Sequence, residues 1–158
     1  MKIKNLPLLI FSIAISELAG IIGSFGTISS ISSWYVYLNK PIFNPPNYIF
    51  GPVWTVLYTM MGISLYFVWV KGYKNEQVKR AVNIFFIHLV VNTLWSIVFF
   101  GLHQLGLAML IILILLGMIL YLIKIFWPID RGASYLLVPY LLWVSFATIL
   151  NLAIWRLN

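Results

Sequence analysis

The sequence predicts an all-α integral membrane protein, a single bundle of five transmembrane helices. Of its 158 residues 63% are hydrophobic and only 8% are charged, whereas soluble domains carry about 25% charged residues. Ten basic and three acidic side chains are too few to cover the surface of a water-soluble protein of this size. The chain also has no cysteine, which excludes disulfides, thiolate metal sites and a cysteine nucleophile.

Five apolar stretches are each long enough to cross a hydrocarbon core about 30 Å thick, which requires roughly 20 helical residues. Only Glu17 carries a charge within any of them. Short connections predict that most consecutive helices pack antiparallel, and residues 1–158 are expected to form one domain. The first apolar run is too long for a cleaved signal peptide, so we expect it to be retained. The five stretches are residues 6–28, 46–70, 81–102, 105–123 and 133–155.

The basic residues lie at the ends of the apolar stretches and are unevenly divided between the two sides. This pattern predicts a cytoplasmic N-terminus in a prokaryotic cell membrane. It is not the continuous basic stripe of a nucleic-acid-binding protein. One side would carry Lys2, Lys4, Lys71, Lys74, Lys79, Arg80, Lys124 and Arg131, and the other only Lys40 and Arg156.

The first and fourth stretches differ in the surfaces they offer. The fourth has no hydrogen-bonding side chain before Tyr121, which is typical of a helix with extensive lipid contact. The first carries two rows of small residues at a spacing of four, which allow another backbone to approach closely. These rows fit packing inside the bundle and a homodimer interface equally well. They are Ser16, Gly20 and Ser24, and Ala19, Gly23 and Thr27.

Aromatic and polar residues share one helical face in the second, third and fifth stretches. Polar groups in a membrane helix are expected to face the bundle interior, so the three stripes predict a cavity for a flat hydrophobic ligand. The alternatives are ordinary packing and anchoring at the membrane interface, which we assign to Trp69, Trp127 and Trp155. The stripes are Trp54, Tyr58 and Met61; His88, Asn92, Trp95, Ser96 and Phe99; and Tyr140, Trp143, Ala147 and Asn151.

Two ionisable residues within the stretches are separate candidates. His88 has the chemistry to ligate a haem iron or to hydrogen-bond a ligand carboxylate. No second ligand stands at metal-site spacing, so no metal site is predicted. Glu17 is a functional candidate because acids in membrane helices are rare and costly. Its alternative is a protonated carboxyl bonded to a neighbouring hydroxyl or amide.

The first loop, residues 29–45, is rich in aromatic residues and proline. Prolines suppress regular helix and stiffen the backbone, so the segment is interpreted as a lid over the cavity. Lys40 offers a cation to an acidic ligand group, or is simply solvated. Pro52 and Pro139 lie inside stretches and are expected to kink them or to free carbonyl groups.

These residues also form a recognisable series of motifs. The first is Trp34-Tyr35-x-x-Leu38-x-Lys40-Pro41-x-Phe43-x-Pro45-Pro46, followed by Phe50-x-Pro52-Val53-Trp54-x-x-Leu57-Tyr58. The third stretch adds Asn92-x-x-Trp95-Ser96-x-x-Phe99-Phe100. The fifth adds Val138-Pro139-Tyr140-x-x-Trp143-x-x-Phe146-Ala147-Thr148-x-Leu150-Asn151. Together they resemble the translocator protein family (TSPO/MBR), also known as tryptophan-rich sensory proteins or peripheral benzodiazepine receptors.

The resemblance implies a five-helix bundle, often dimeric, that binds porphyrins in a cavity beneath the first loop. The expected function is therefore a membrane receptor or sensor for tetrapyrroles or similar flat ligands, with transport as an extension. The alternative is an enzyme-like, light-dependent degradation of porphyrin in which Trp54 and Trp143 are catalytic. No obligatory cofactor is expected; the partners are the ligand, the bilayer and a second copy of the chain. Carried over by motif, the ligand-binding residues are Tyr35, Pro45, Trp54, Asn92, Trp95, Trp143 and Ala147, to which the helical faces add Tyr58 and His88.

Overall fold

A computed structural model describes residues 4–158, and each regular element in that range is a helix. Five segments are long and apolar enough to cross a membrane, which confirms the predicted fold class. The elements are α1 (Leu6–Ser33), a 3-10 turn (Tyr35–Tyr37), α2 (Asn47–Trp69), α3 (Glu76–Ser96), which continues as a π-helical turn (Ile97–Gly101), α4 (Leu105–Phe126), α5 (Arg131–Leu136) and α6 (Val138–Leu157).

The helices surround the bundle interior in an order that differs from their order in the chain. Helix α1 packs against α2 and α3, while α4 packs against α3 and α6. Short α5 closes the ring against α2. Helix α4 exposes large apolar side chains such as Leu110 and Ile114, as expected for a helix in contact with lipid. In one half of the ring, the interior is lined by α1, α2, α3 and α6.

Helix α1 extends to Ser33, so the first loop begins at Trp34 and not at residue 29 as predicted. The serines at this end do not stop the helix because their hydroxyls bond to its own carbonyls. Ser29 Oγ donates to the Gly26 carbonyl over 3.3 Å, and Ser33 Oγ donates to the Ser29 carbonyl over 2.6 Å. Ser30 Oγ bonds the carbonyl of Phe100 in the π-helical turn.

The two prolines have different effects on their helices. Pro139 has no N–H to donate to the carbonyl four residues before it, and the fifth span is divided at Leu137 into α5 and α6. Pro52 lies inside α2, which continues through it without a break. It has no N–H to donate to the carbonyl of Tyr48, four residues before it in the first turn of α2.

Both small-residue rows of α1 face neighbours inside the bundle. A Cβ added at Gly23 would lie 3.2 Å from Ser96 Cβ, and Ser96 Oγ donates to the Gly23 carbonyl over 2.9 Å. On the other row, a Cβ at Gly20 would lie 2.3 Å from the ring of Tyr58. The rows therefore serve internal packing of α1 on α3 and α2. The homodimer stays a prediction.

At the end of the bundle opposite the first loop, Asp130 joins two connections. Its Oδ1 accepts a hydrogen bond from the Ala133 N–H and caps α5, and its Oδ2 lies 2.9 Å from Lys71 Nζ. Burial raises the pKa of Asp130, but the hydrogen bonds and charge of Lys71 and the nearby backbone N–H groups outweigh it, so the pKa lies below its ordinary value. Of the basic residues predicted to set the orientation, Lys2 lies outside the described range.

Candidate ligand-binding cavity

A cavity of about 360 Å³ lies between α1, α2, α3 and α6, in the half of the bundle nearest the first loop. Ligand pockets usually occupy about 300–1,000 Å³, so the space suits a small organic molecule. No residue of α4 lines it, in agreement with the lipid-facing character of that helix. Seven residues predicted to bind the ligand lie on its wall: Tyr35, Trp54, Tyr58, Asn92, Trp95, Trp143 and Ala147.

The wall consists mainly of aromatic rings. The ring of Trp54 lies 5.4 Å from that of Tyr58, 6.3 Å from that of Trp95 and 6.1 Å from that of Tyr140. On α6, Trp143 contacts Phe50 of α2 at 6.2 Å between ring centroids. The three helical stripes predicted from the sequence therefore meet around one space, and their rings provide flat apolar surfaces.

A chain of buried hydrogen bonds runs from the cavity wall into the core. The Tyr58 hydroxyl donates to Asn92 Oδ1, and Asn92 Nδ2 donates to the Tyr140 hydroxyl over 2.8 Å. The Tyr140 hydroxyl lies 2.9 Å from His88 Nε2. The other ring nitrogen of His88, Nδ1, is buried without a hydrogen-bond partner among the described residues.

The amide groups on the wall are already engaged in bonds within the protein. Both ends of Asn92 are used in the chain above, and its side chain is only 1% exposed. Asn151 Oδ1 accepts from Trp95 Nε1 over 3.3 Å, and Asn151 Nδ2 donates to the Leu105 carbonyl. These amides orient the rings more than they offer free groups to a ligand.

Within residues 4–158, the indole N–H groups of Trp54 and Trp143 make no hydrogen bond. Both side chains are half-buried and both line the cavity. They are therefore the donors that the wall leaves available. The sequence pattern identified these two residues as ring platforms and did not reveal that their N–H groups would be free.

Two residues predicted to bind the ligand lie away from the wall. His88 is fully buried one turn below Asn92, packed against Phe85 and Tyr140. A helical stripe fixes the face on which a side chain lies but not how far along the axis the cavity extends, and the cavity ends above His88. Pro45 is half-buried in the first loop and does not reach the cavity; its carbonyl accepts from Asn44 Nδ2 instead.

The first loop contributes Tyr35 to the wall and is fixed by its own polar groups. The Tyr35 hydroxyl donates to Asn44 Oδ1 over 2.6 Å, and burial raises the pKa of Tyr35 to about 12, so the hydroxyl keeps the proton it donates. Lys40 Nζ donates to the carbonyls of Val36 and Leu38, each over 3.1 Å, and lies 5.1 Å from the Tyr35 ring centre. Lys40 therefore stabilises the loop and is neither a free cation over the cavity nor simply solvated.

Further wall residues were not among the predicted ligand contacts. Phe50 lies one turn before Trp54 on the same face of α2, and Phe100 follows Phe99 in the π-helical turn. The helical spacing from Phe50 to Trp54 was enough to predict that Phe50 lines the cavity. The spacing of Phe100 was not enough, because a π-helical turn shifts the face on which later residues lie. Glu17 and Gly20 of α1 also lie on the wall.

The cavity wall is incomplete between α1 and α2. Ile21 and Ile28, which line the cavity from α1, are 52% and 71% exposed. Opposite them, Gly51 and Thr55 of α2 are exposed wall residues, and a Cβ at Gly51 would meet nothing within 4 Å. Because these residues belong to membrane-spanning helices, the opening faces the lipid side of the bundle.

Comparison with known proteins agrees with the architecture. Residues 12–156 match the TspO/MBR family. The tryptophan-rich protein TspO of Archaeoglobus fulgidus is 44% identical over 154 residues, covering 98% of this chain and 99% of the relative. The human translocator protein is 36% identical over 79% of this chain and 75% of its own length. The tryptophan-rich sensory protein of Cereibacter sphaeroides is 33% identical over 84% of this chain and 82% of its own. The chain therefore belongs to the TspO/MBR family.

Proposed function

We propose that this protein is a membrane receptor that binds a porphyrin or a similar flat hydrophobic molecule in the cavity between α1, α2, α3 and α6. The observation that supports this proposal is the convergence of Trp54, Trp95 and Trp143 on one cavity wall. Aromatic faces favour stacking on planar ligands. The two indole N–H groups left without partners provide hydrogen bonds to polar edges of such a ligand.

The cavity size and opening suit this proposal. Its volume of about 360 Å³ is near the lower end of the range for ligand pockets, so a macrocycle would extend into the gap between α1 and α2. The names of the relatives, translocator and sensory protein, fit a protein whose first step is the capture of a small molecule. Sensing and transport both begin with that step.

Titration with protoporphyrin IX in lipid nanodiscs tests the proposal, with quenching of tryptophan fluorescence as the readout. We expect saturable quenching and an affinity about 2- to 10-fold weaker in Trp143→Phe, since an aromatic pair contributes about 0.5–1.5 kcal/mol beyond its buried area. Trp127→Phe is the control, because that ring packs on Tyr135 outside the cavity. Equal affinities in the parent and both variants would contradict the assignment of the site.

We also infer that the N-terminal end of the bundle is cytoplasmic, in a prokaryotic cell membrane. Basic side chains collect at this end, where the connection after α2 and the connection before α5 meet through Lys71 and Asp130. Basic residues are enriched in cytoplasmic connections. The native chain has no cysteine, so single cysteines at Lys74 and Asn39 and an impermeant maleimide give the orientation directly. Labelling of position 74 in intact cells would contradict it.

Light-dependent degradation of porphyrin is a second candidate, favoured by the presence of both Trp54 and Trp143 on the wall of one cavity. In this case porphyrin excited by light is oxidised in air through the two indoles. Light-dependent degradation would be supported if bound protoporphyrin bleaches under light and not in the dark. The double variant Trp54→Phe/Trp143→Phe should then lose the bleaching. Binding without any change in the absorption spectrum under light would leave the protein a receptor only.

A further inference from the structure

Glu17 is the acid in this structure that has no basic partner. Of the three acidic residues in the chain, Asp130 lies 2.9 Å from Lys71 Nζ and Glu76 lies 3.7 Å from Lys79 Nζ. Within residues 4–158, Glu17 forms no ion pair, although it lies in a membrane-spanning helix. An acid in such a segment is costly unless it is paired, neutralised or used.

The Glu17 carboxyl lies on the cavity wall and is only partly engaged. The Thr59 hydroxyl is 2.8 Å from Glu17 Oε1, and the same hydroxyl is 3.0 Å from the Thr55 carbonyl. One hydroxyl hydrogen serves only one of these acceptors at a time. In the described part of the chain, Glu17 Oε2 accepts no hydrogen bond, and it is not among the buried atoms without partners.

The other hydrogen-bonding groups on the cavity wall do not neutralise a charge on this carboxyl. The hydroxyls of Ser24, Thr55 and Tyr58 already donate to protein acceptors, and the free indole N–H groups of Trp54 and Trp143 are uncharged donors. No lysine, arginine or histidine lines the cavity. The wall therefore combines flat apolar rings with one acceptor group that is able to carry a negative charge, at the α1 side of the space.

We infer that Glu17 selects the ligand by charge: the cavity prefers a flat aromatic molecule that presents a protonated amine or another cationic N–H edge to Glu17. This inference rests on the proposed function, that a flat ligand occupies the cavity, and it narrows the class of ligand. A cation supplies the partner that the carboxylate lacks, and hydrogen bonds between ionised groups are stronger than neutral ones. Carboxylates of a porphyrin must lie away from Glu17, towards the opening between α1 and α2.

Three derivatives of one porphyrin ring test the inference in nanodiscs of zwitterionic phosphatidylcholine. They are deuteroporphyrin IX as the diacid, its uncharged dimethyl ester, and a diamide whose two side arms end in protonated amines. In the parent protein we expect the diamine to bind at least about 10-fold more tightly than the diacid, with the ester between them. Quenching of tryptophan fluorescence gives all three affinities.

Glu17→Gln keeps the shape of the side chain and one acceptor oxygen, replaces the other oxygen by an NH2 donor, and removes the ability to carry a negative charge. It should reduce the affinity ratio of diamine to ester to about 1, with the ester still bound. Glu76→Gln is the matched control, since it removes an acid from the exposed start of α3, outside the cavity, and it should preserve the parent ratio. Glu17→Gln should also fold at least as stably as the parent in the absence of ligand, because it removes an unpaired carboxyl from the membrane span.

The outcomes separate the two proposals. A diamine-to-ester ratio that is the same in the parent and in Glu17→Gln, with the ester bound by both, overturns the role of Glu17 and leaves the receptor proposal intact. Saturable binding of none of the three derivatives to the parent overturns the receptor proposal itself. A ratio that falls equally in Glu17→Gln and Glu76→Gln would show an effect of net charge and would also overturn the inference.

Discussion

Replacing Tyr140 by phenylalanine tests the buried hydrogen-bond chain that connects the cavity wall to the core. The Tyr140 side chain is fully buried, and its hydroxyl bonds both Asn92 Nδ2, over 2.8 Å, and His88 Nε2, over 2.9 Å. The substitution removes a single oxygen and leaves the ring, so packing changes little. It leaves Asn92 Nδ2 and His88 Nε2 without the hydroxyl that each of them contacts.

The expected cost follows from the two bonds lost. Hydrogen bonds between membrane helices contribute about 0.6 kcal/mol on average and up to about 1.7 kcal/mol, so two of them amount to about 1–3 kcal/mol. In Tyr73→Phe the same atom is removed from a residue that is 42% exposed and whose hydroxyl bonds Asn83. Water replaces that bond, so the cost should be below about 0.5 kcal/mol.

Reversible unfolding in mixed micelles, followed by circular dichroism, measures both free energies of unfolding. A double-mutant cycle with His88→Leu adds a sharper comparison, because the two changes should cost less together than the sum of the single changes. If Tyr140→Phe costs no more than Tyr73→Phe, the hydrogen-bond chain is not a stabilising feature. Strict additivity with His88→Leu would show that Tyr140 and His88 are not coupled.

Three further predictions follow from the structure. Gly62→Ala should strongly destabilise the bundle, because its Cβ would lie 2.5 Å from Ile13 Cα, whereas Gly51→Ala, with nothing within 4 Å, should have little effect on the unfolding midpoint. The pKa of Asp130 is lower in the folded protein than its ordinary value, so its stabilising contribution is present above about pH 4 and is lost as the pH falls through the folded-state pKa. Asp130→Asn should therefore lose less stability than the parent on acidification, as thermal melts at pH 7 and pH 3 would show. Asn92→Ala should weaken porphyrin binding severalfold by releasing Tyr58, and an unchanged affinity in fluorescence titration would refute that positioning role.

The five spans were predictable because the length of an apolar stretch can be read from the sequence alone. The residues at which the helices begin and end were harder to predict. Helix α1 continues through Ser29 and Ser33 because their hydroxyls bond to carbonyls of the same helix, and serine is also common where helices end. Helix α3 begins at Glu76, after the cap made by Asn75, five residues before the apolar stretch that predicted it. Capping and back-bonding involve single side chains, which composition does not resolve.

Helical periodicity predicted which faces carry the cavity wall but not its depth. Trp95 and His88 belong to the same stripe of α3, yet Trp95 lines the cavity and His88 lies beneath it. Nor did periodicity show which polar groups would be engaged. Asn92 was among the predicted ligand-binding residues, and in the structure both ends of its amide bond to tyrosines. Such pairing depends on three helices at once and is not encoded in the pattern of any one of them.

The sizes of the facing residues explain both the tight contact and the open space between α1 and α2. At Gly62 the α2 backbone approaches Ile13 so closely that no Cβ fits, and at Gly20 the ring of Tyr58 rests directly on the backbone of α1. Two turns or more beyond these contacts, towards the first loop, the facing residues Ile28 and Gly51 enclose the cavity and its opening. Glycine lets the two helices meet at one end, and at the other the ring of Trp54 from α2 lines the cavity. The cavity is therefore a consequence of where small and large residues stand along the two helices, and enlarging Gly62 should disturb the cavity as well as the stability of the bundle.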